Sequence, residues 1–132
     1  MKLLTALFAL LFSSGVAAEV ATITPKAAAQ LVAEGKAVLI DVREPSEWAD
    51  SGVAAPAVLL AKSDFDGSQK LWKEFLGQTG DKQLILYCRS GKRAGVIAAT
   101  LAAQGHKVAN AGGFKDWESA GLPVRKVEPA KK

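Results

Sequence analysis

Apolar positions along this chain follow two rhythms. Ala37 to Val42 and Gln83 to Tyr87 are short, nearly unbroken apolar runs, Ala-Val-Leu-Ile-Asp-Val and Gln-Leu-Ile-Leu-Tyr. Runs of that length without polar alternation suit strands covered on both faces of a parallel sheet. Val58 to Leu60 and His106 to Val108 predict two shorter strands, and Val20 to Ile23 predicts an edge-strand lead-in. Between the runs, apolar residues recur every three or four positions, the helical period.

Helix signals frame those intervening segments. Thr24 reads as an N-cap and Pro25 as a first helical residue, followed by an apolar stripe of Ala27, Leu31 and Val32 and a stop at Gly35. Ser46 reads as the cap of a one- to two-turn helix through Trp48, closing at Gly52. Ser63 or Asp64 opens a looser segment, and Gln69 to Leu76 predicts a helix. Lys92 to Gln104 predicts another, with Val96, Ile97, Leu101 and Ala102 on a broad apolar face. Asn110 to Gly113 reads as a loop, and Phe114 to Ala120 as a short helix closed by Gly121. Trp48, Trp72, Phe75, Phe114 and Trp117 are expected in the core. The alternation predicts an α/β fold with a mainly parallel central sheet and helices on both faces. In such sheets ligands bind beyond the carboxyl ends of the strands. Arg43, Cys88 and the Asn110–Gly113 stretch all follow strands, so topology brings them to one rim.

Composition refines this picture. The 132 residues suffice for one domain, and 49% hydrophobic residues allow a substantial core. Lys2, an apolar run from Leu3 to Phe12 and the small residues Val16-Ala17-Ala18 predict a signal peptide over 1–18. The domain then spans 19–125, with a flexible tail over 126–132 and a periplasmic or secreted destination. The apolar run is about half the ~20 residues that span a bilayer, so no membrane association is expected after cleavage. A net charge of +4 from scattered basic residues argues against a nucleic-acid partner. A single cysteine permits no internal disulfide, and nothing clusters His and Cys for zinc, so no metal or cofactor is expected. The lone His106 sits where a strand begins, away from the rim a Cys–His pair would need.

Candidate chemistry concentrates at Cys88. It closes an apolar run and precedes Arg89-Ser90-Gly91-Lys92-Arg93, where a helix opens. Backbone N–H groups and the positive end of the macrodipole converge there, and three cations lie within five residues. This setting favours a thiolate, the nucleophilic form, at the mouth of the turn. Ser90 and Gly91 are small enough to let the amides turn inward as an anion nest. Arg89, Lys92 and Arg93 are candidate substrate-side charges. Arg43 is either a further anion-facing charge or half of an ion pair with Asp41 or Glu44 that braces the rim.

Three stretches together resemble the rhodanese domain, and more closely its small exported single-domain members. They are Leu39-Ile40-Asp41-Val42-Arg43-Glu44-Pro45, then Tyr87 to Gly95, then Asn110-Ala111-Gly112-Gly113-Phe114 with Trp117 and Gly121-Leu122-Pro123-Val124. The resemblance implies a five-stranded parallel sheet between helices. It also implies sulfurtransferase chemistry: Cys88 takes a sulfane sulfur from a thiosulfate-like donor, becomes a persulfide, and passes the sulfur to a thiol, a cyanide-like acceptor or a protein. By the same resemblance the Cys88–Arg93 loop cradles the sulfur with backbone amides. One departure stands out. Family members usually carry Gly-His-Ile-Pro-Gly-Ala after the short acidic helix, where this chain has Ser51-Gly52-Val53-Ala54-Ala55-Pro56-Ala57. Two other readings use the same residues: a persulfide carrier or partner-binding module without turnover, and a phosphatase or arsenate reductase. The second resembles a Cys-x5-Arg loop, one residue longer than Cys88 to Arg93.

Overall fold

The computed structural model describes residues 20–129. The signal-peptide expectation therefore lies outside the described residues. In chain order the elements are β1 (Ala21–Thr22), α1 (Pro25–Ala33), β2 (Ala37–Asp41), α2 (Pro45–Ser51), β3 (Val53–Ala54), β4 (Val58–Leu59), α3 (Lys62–Asp66), α4 (Lys70–Leu76), β5 (Gln83–Cys88), α5 (Lys92–Ala103), β6 (Val108–Gly113), α6 (Phe114–Ser119) and β7 (Val124–Arg125). Five strands pair in the order β1-β6-β5-β2-β4, every pair parallel. The α/β fold with a parallel sheet between helices is the one the alternation predicts, and its five strands are the number the family resemblance implies.

Strand periodicity divides the core. Leu84, Leu86 and Cys88 face one side of β5, where they pack with Trp72, Ala94, Ile97 and Leu101. Ile85 and Tyr87 face the other, with Ala28, Ala109, Phe114 and Trp117. Alternate residues of a strand point to opposite faces, so a strand covered on both sides must be apolar throughout. Burial of side chains such as Ile97 and Leu101 contributes roughly 1.5–3 kcal/mol each. Trp72 is wholly buried, donates its indole N–H to the Ala61 carbonyl at 3.1 Å, and meets Phe65 and Phe75 edge-on.

Several local expectations shift. Thr24 does cap α1 by accepting from the Ala27 N–H, but Ala28, not Ala27, is the buried member of the stripe. Helix α2 starts one position before Ser46, with Glu44 as N-cap and Pro45 leading. There Glu47 reaches back to accept from the Glu44 N–H at 3.0 Å, satisfying a donor that no serine hydroxyl is needed for. Val96 lies on the outer face of α5 and is 55% exposed. Trp48 and Phe75 are only partly buried, whereas Trp72, Phe114 and Trp117 are core.

The stretch expected as a loop, Asn110 to Gly113, continues β6. Its pairing with β5 slips between Leu86↔Asn110 and Cys88↔Gly113. The slip sets Ala111 and Gly112 against Tyr87 alone, a bulge that bends the strand end towards the Cys88 loop. A further two-stranded antiparallel sheet, β3 with β7, is not anticipated from the pattern, since each strand has two residues. It uses the departing Ser51–Ala57 stretch, whose Ala54 N–H donates to the Tyr87 hydroxyl at 2.9 Å.

Trp72→Ala is expected to lower the unfolding free energy by about 3–5 kcal/mol, the usual cost of emptying a buried aromatic site. Urea unfolding followed by circular dichroism measures it; a loss below about 1 kcal/mol would mean that this layer does not hold the helices to the sheet.

Candidate functional site

Strand β5 delivers Cys88 to the carboxyl rim of the sheet, and α5 begins four residues later. Gly91 makes the turn. It adopts φ +95° as the residue before α5, a left-handed conformation that a side chain would oppose. Its N–H points at the Cys88 sulfur, 3.0 Å from Sγ. This amide stands at the positive end of a twelve-residue helix. The sulfur does not stand on an open ledge: Cys88 has no exposed surface. Its other neighbours belong to the apolar cluster beneath α5. The thiol that the sequence reading sets at the mouth of the turn is thus buried beneath it, while the inward-turned amide it expects is found at Gly91.

The cover over the sulfur is fixed by close backbone packing. A Cβ built on Gly113 would lie 2.1 Å from the Arg89 carbonyl oxygen, so only glycine lets the end of β6 approach the loop. Asn110 clamps the same loop, donating from Nδ2 to the Gly91 carbonyl at 2.8 Å and accepting the Gly112 N–H at 2.9 Å. Asp116 accepts the Gly113 N–H at 2.9 Å and holds the start of α6.

The cations divide into two groups. Arg89, Ser90 and Lys92 are exposed. Arg89 lines a depression of about 350 Å³ with Lys115, Phe114, Asp50 and Glu118. Ser90, Gly91 and Lys92 line an open groove of about 710 Å³ on the other flank of the loop. Arg93, expected on the substrate side, instead forms a bidentate pair with Glu47, at 2.7 and 2.9 Å. Its hydrogen bond to Glu47 raises its pKa further above the ordinary guanidinium range. In return the Arg93 hydrogen bond drives Glu47 down to about 2, against a partial opposing effect of burial. The pair fastens the first turn of α5 to α2.

Arg43 is likewise a brace rather than a free charge. It is 4% exposed; Nε and Nη2 donate to Asp41, Nη1 to the Ser51 hydroxyl and Nη2 also to the Gly52 carbonyl. Its guanidinium lies over the Phe114 ring, 4.6 Å from the centroid. Burial pulls its pKa down, but the hydrogen bonds and charge of Asp41 outweigh that and leave it raised. Trp48 adds an indole N–H to Asp41 at 3.1 Å, so the buried carboxylate is well satisfied. Ser51 and Gly52 therefore supply two of the acceptors that allow Arg43 to be buried. Glu47 and Asp116 are residues at the site that the sequence reading does not single out, and Asn110, which it brings to the rim, is given no role there. His106 lies beside Gly80, Asp81 and Lys82, at the end of the sheet where strands begin.

This geometry belongs to a known class. The rhodanese-like domain model matches residues 24–120, and the chain belongs to that family. It is 34% identical over 111 residues to the uncharacterized protein slr1261 of Synechocystis, a match covering 83% of this chain but 58% of that protein's length. It is 32% identical over 105 residues to the thiosulfate sulfurtransferase GlpE of Actinobacillus succinogenes, covering 77% of this chain and 87% of that one. The solved polysulfide-sulfur transferase homodimer of Wolinella succinogenes superposes with a TM-score of 0.66 at 25% identity, covering 84% of this chain and 82% of that one. Two of these three similar proteins are named as sulfur transferases.

Two outcomes test the clamp and the brace. Gly113→Ala must push the Arg89 carbonyl aside, so the reactivity of Cys88 towards a small alkylating agent should change at least severalfold while the circular dichroism spectrum stays native; unchanged reactivity would remove the close approach as a constraint. The contribution of the Glu47–Arg93 pair to stability is complete above about pH 4.5 and is lost as pH falls through about 2. Thermal midpoints from pH 6 to 2 should therefore fall more steeply in the wild type than in Glu47→Gln, and parallel slopes would mean the pair contributes nothing.

Proposed function

We propose that this protein is a sulfurtransferase that carries a sulfane sulfur on Cys88. The Cys88 thiolate attacks the outer sulfur of thiosulfate, a new S–S bond forms, the donor's S–S bond breaks, and sulfite leaves with the bonding pair. An acceptor thiolate or cyanide then attacks the outer sulfur of the persulfide and regenerates the Cys88 thiolate. No proton-shuttling base is required, because nucleophile and leaving group are both anions.

The single observation that carries this reading is the Gly91 N–H at 3.0 Å from the sulfur, in a chain of the rhodanese-like family. A preorganised amide at a helix start stabilises the anion before and after sulfur transfer at little reorganisation cost. Arg89 and Lys92, exposed on either side of the loop, attract the dianionic donor. The buried sulfur requires the covering loop to give way as cargo enters. The phosphatase reading is weakened because Arg93, the cation that would close on a phosphate, is held by Glu47.

Incubation with thiosulfate followed by mass spectrometry of the intact protein should show a gain of one sulfur atom, absent in Cys88→Ala and removed by a thiol acceptor. Sulfite release by the Cys88→Ala variant at the wild-type rate would reject the mechanism. Loading without repeated turnover on any thiol or cyanide would leave a carrier in place of an enzyme.

A further inference from the structure

Cys88 and Gly91 lie in one loop, but the group that fixes their relation comes from a different strand. Asn110 sits on β6, nineteen residues beyond Gly91, and its two amide ends do different work. Nδ2 donates to the Gly91 carbonyl at 2.8 Å, while Oδ1 accepts the Gly112 N–H at 2.9 Å. Only this orientation satisfies both partners, because a carbonyl can only accept and an N–H can only donate. The Gly91 carbonyl also accepts the Gly95 N–H at 2.9 Å, the first hydrogen bond of α5. Two donors thus pin one end of Gly91, and its left-handed backbone then directs the N–H at the other end onto Sγ. Gly91 has no side chain to resist rotation, so losing the Asn110 donor removes one of the two hydrogen bonds that hold its carbonyl.

We infer that Asn110 is a positioning residue for sulfur transfer, one that aims the Gly91 amide at the Cys88 sulfur without touching the cargo itself. The inference rests on the sulfurtransferase reading for its kinetic consequence, but the aiming of the amide stands on geometry alone. Aspartate is the discriminating substitution. It keeps the shape and the acceptor for Gly112, but it sets a carboxylate oxygen against the Gly91 carbonyl, where both groups can only accept.

The experiment compares Asn110→Asp, Asn110→Ala and, as a control for general loosening, Thr79→Ala, which removes a hydrogen bond to the Leu76 carbonyl in the turn before β5, at the end of the sheet opposite the rim. Two quantities are read: the single-turnover rate of sulfur loading from thiosulfate, by quenched mass spectrometry, and the Gly91 amide proton resonance. Both Asn110 variants should load sulfur about 10- to 100-fold more slowly, less than the roughly 10²–10³ lost when a stabilising donor itself is deleted. The thiosulfate concentration at half-maximal rate should stay within about twofold of the wild type, because Arg89 and Lys92 remain. The Gly91 resonance should move upfield as its hydrogen bond to sulfur weakens, and Thr79→Ala should change neither reading. Wild-type loading rates in both Asn110 variants, an unmoved Gly91 resonance, or an equal slowing in Thr79→Ala would overturn the assignment. If the wild type itself fails to take up sulfur, the sulfurtransferase reading falls, while the Gly91 resonance still decides whether Asn110 aims the amide.

Discussion

The meeting of two backbones at the carboxyl rim governs the site. Strand β6 ends so close to the turn after β5 that Gly113 nearly touches the Arg89 carbonyl, leaving no room for even one methyl group. Everything around the sulfur follows from that approach. The bulge at Ala111-Gly112 carries β6 inwards, Asp116 holds Gly113 in place, and Asn110 reaches across to the turn. Packed this tightly, the turn can move only as a unit, and interiors of that density pass displacement on rather than absorb it.

A second layer of restraint is ionic and lies outside the first. Arg93 and Glu47 tie the opening of α5 to α2, and Arg43 ties the end of β2 to the end of α2 through Asp41, Ser51 and Gly52. A buried guanidinium is costly unless its donors are satisfied, and here carboxylate, hydroxyl and carbonyl all take part. The result separates two kinds of cation at a rim that reads as uniformly basic. Arg43 and Arg93 stiffen the frame. Arg89 and Lys92 remain at the surface, where they can meet a charged cargo.

Much of this architecture is legible in the residue pattern. Unbroken apolar runs at Ala37–Val42 and Gln83–Tyr87 mark strands buried on both faces, and strand-end logic brings Arg43, Cys88 and Asn110 to one rim. What escapes the pattern is whatever depends on distant partners. The match of Arg93 with Glu47 joins residues 46 apart and has no local signature. Strand β3 exists only because β7 returns to it, and Ala-Gly-Gly extends β6 against its own weak strand preference because β5 lies alongside. Val96 joins an apolar helix face by residue type, yet faces outward, because the sheet covers only part of the circumference of α5. The burial of Cys88 is of the same kind, since it reflects how far β6 leans over the turn.

That roofed sulfur has a consequence for timing. A persulfide formed there would be sheltered from bulk oxidants and stray thiols by the burial that keeps Cys88 from solvent. Its lifetime would then depend on how often the site opens to solvent as well as on the S–S bond itself. Selectivity among acceptors would then be partly a matter of size and patience: small anions slip through brief openings, while a bulky acceptor must wait for, or itself induce, a wider one.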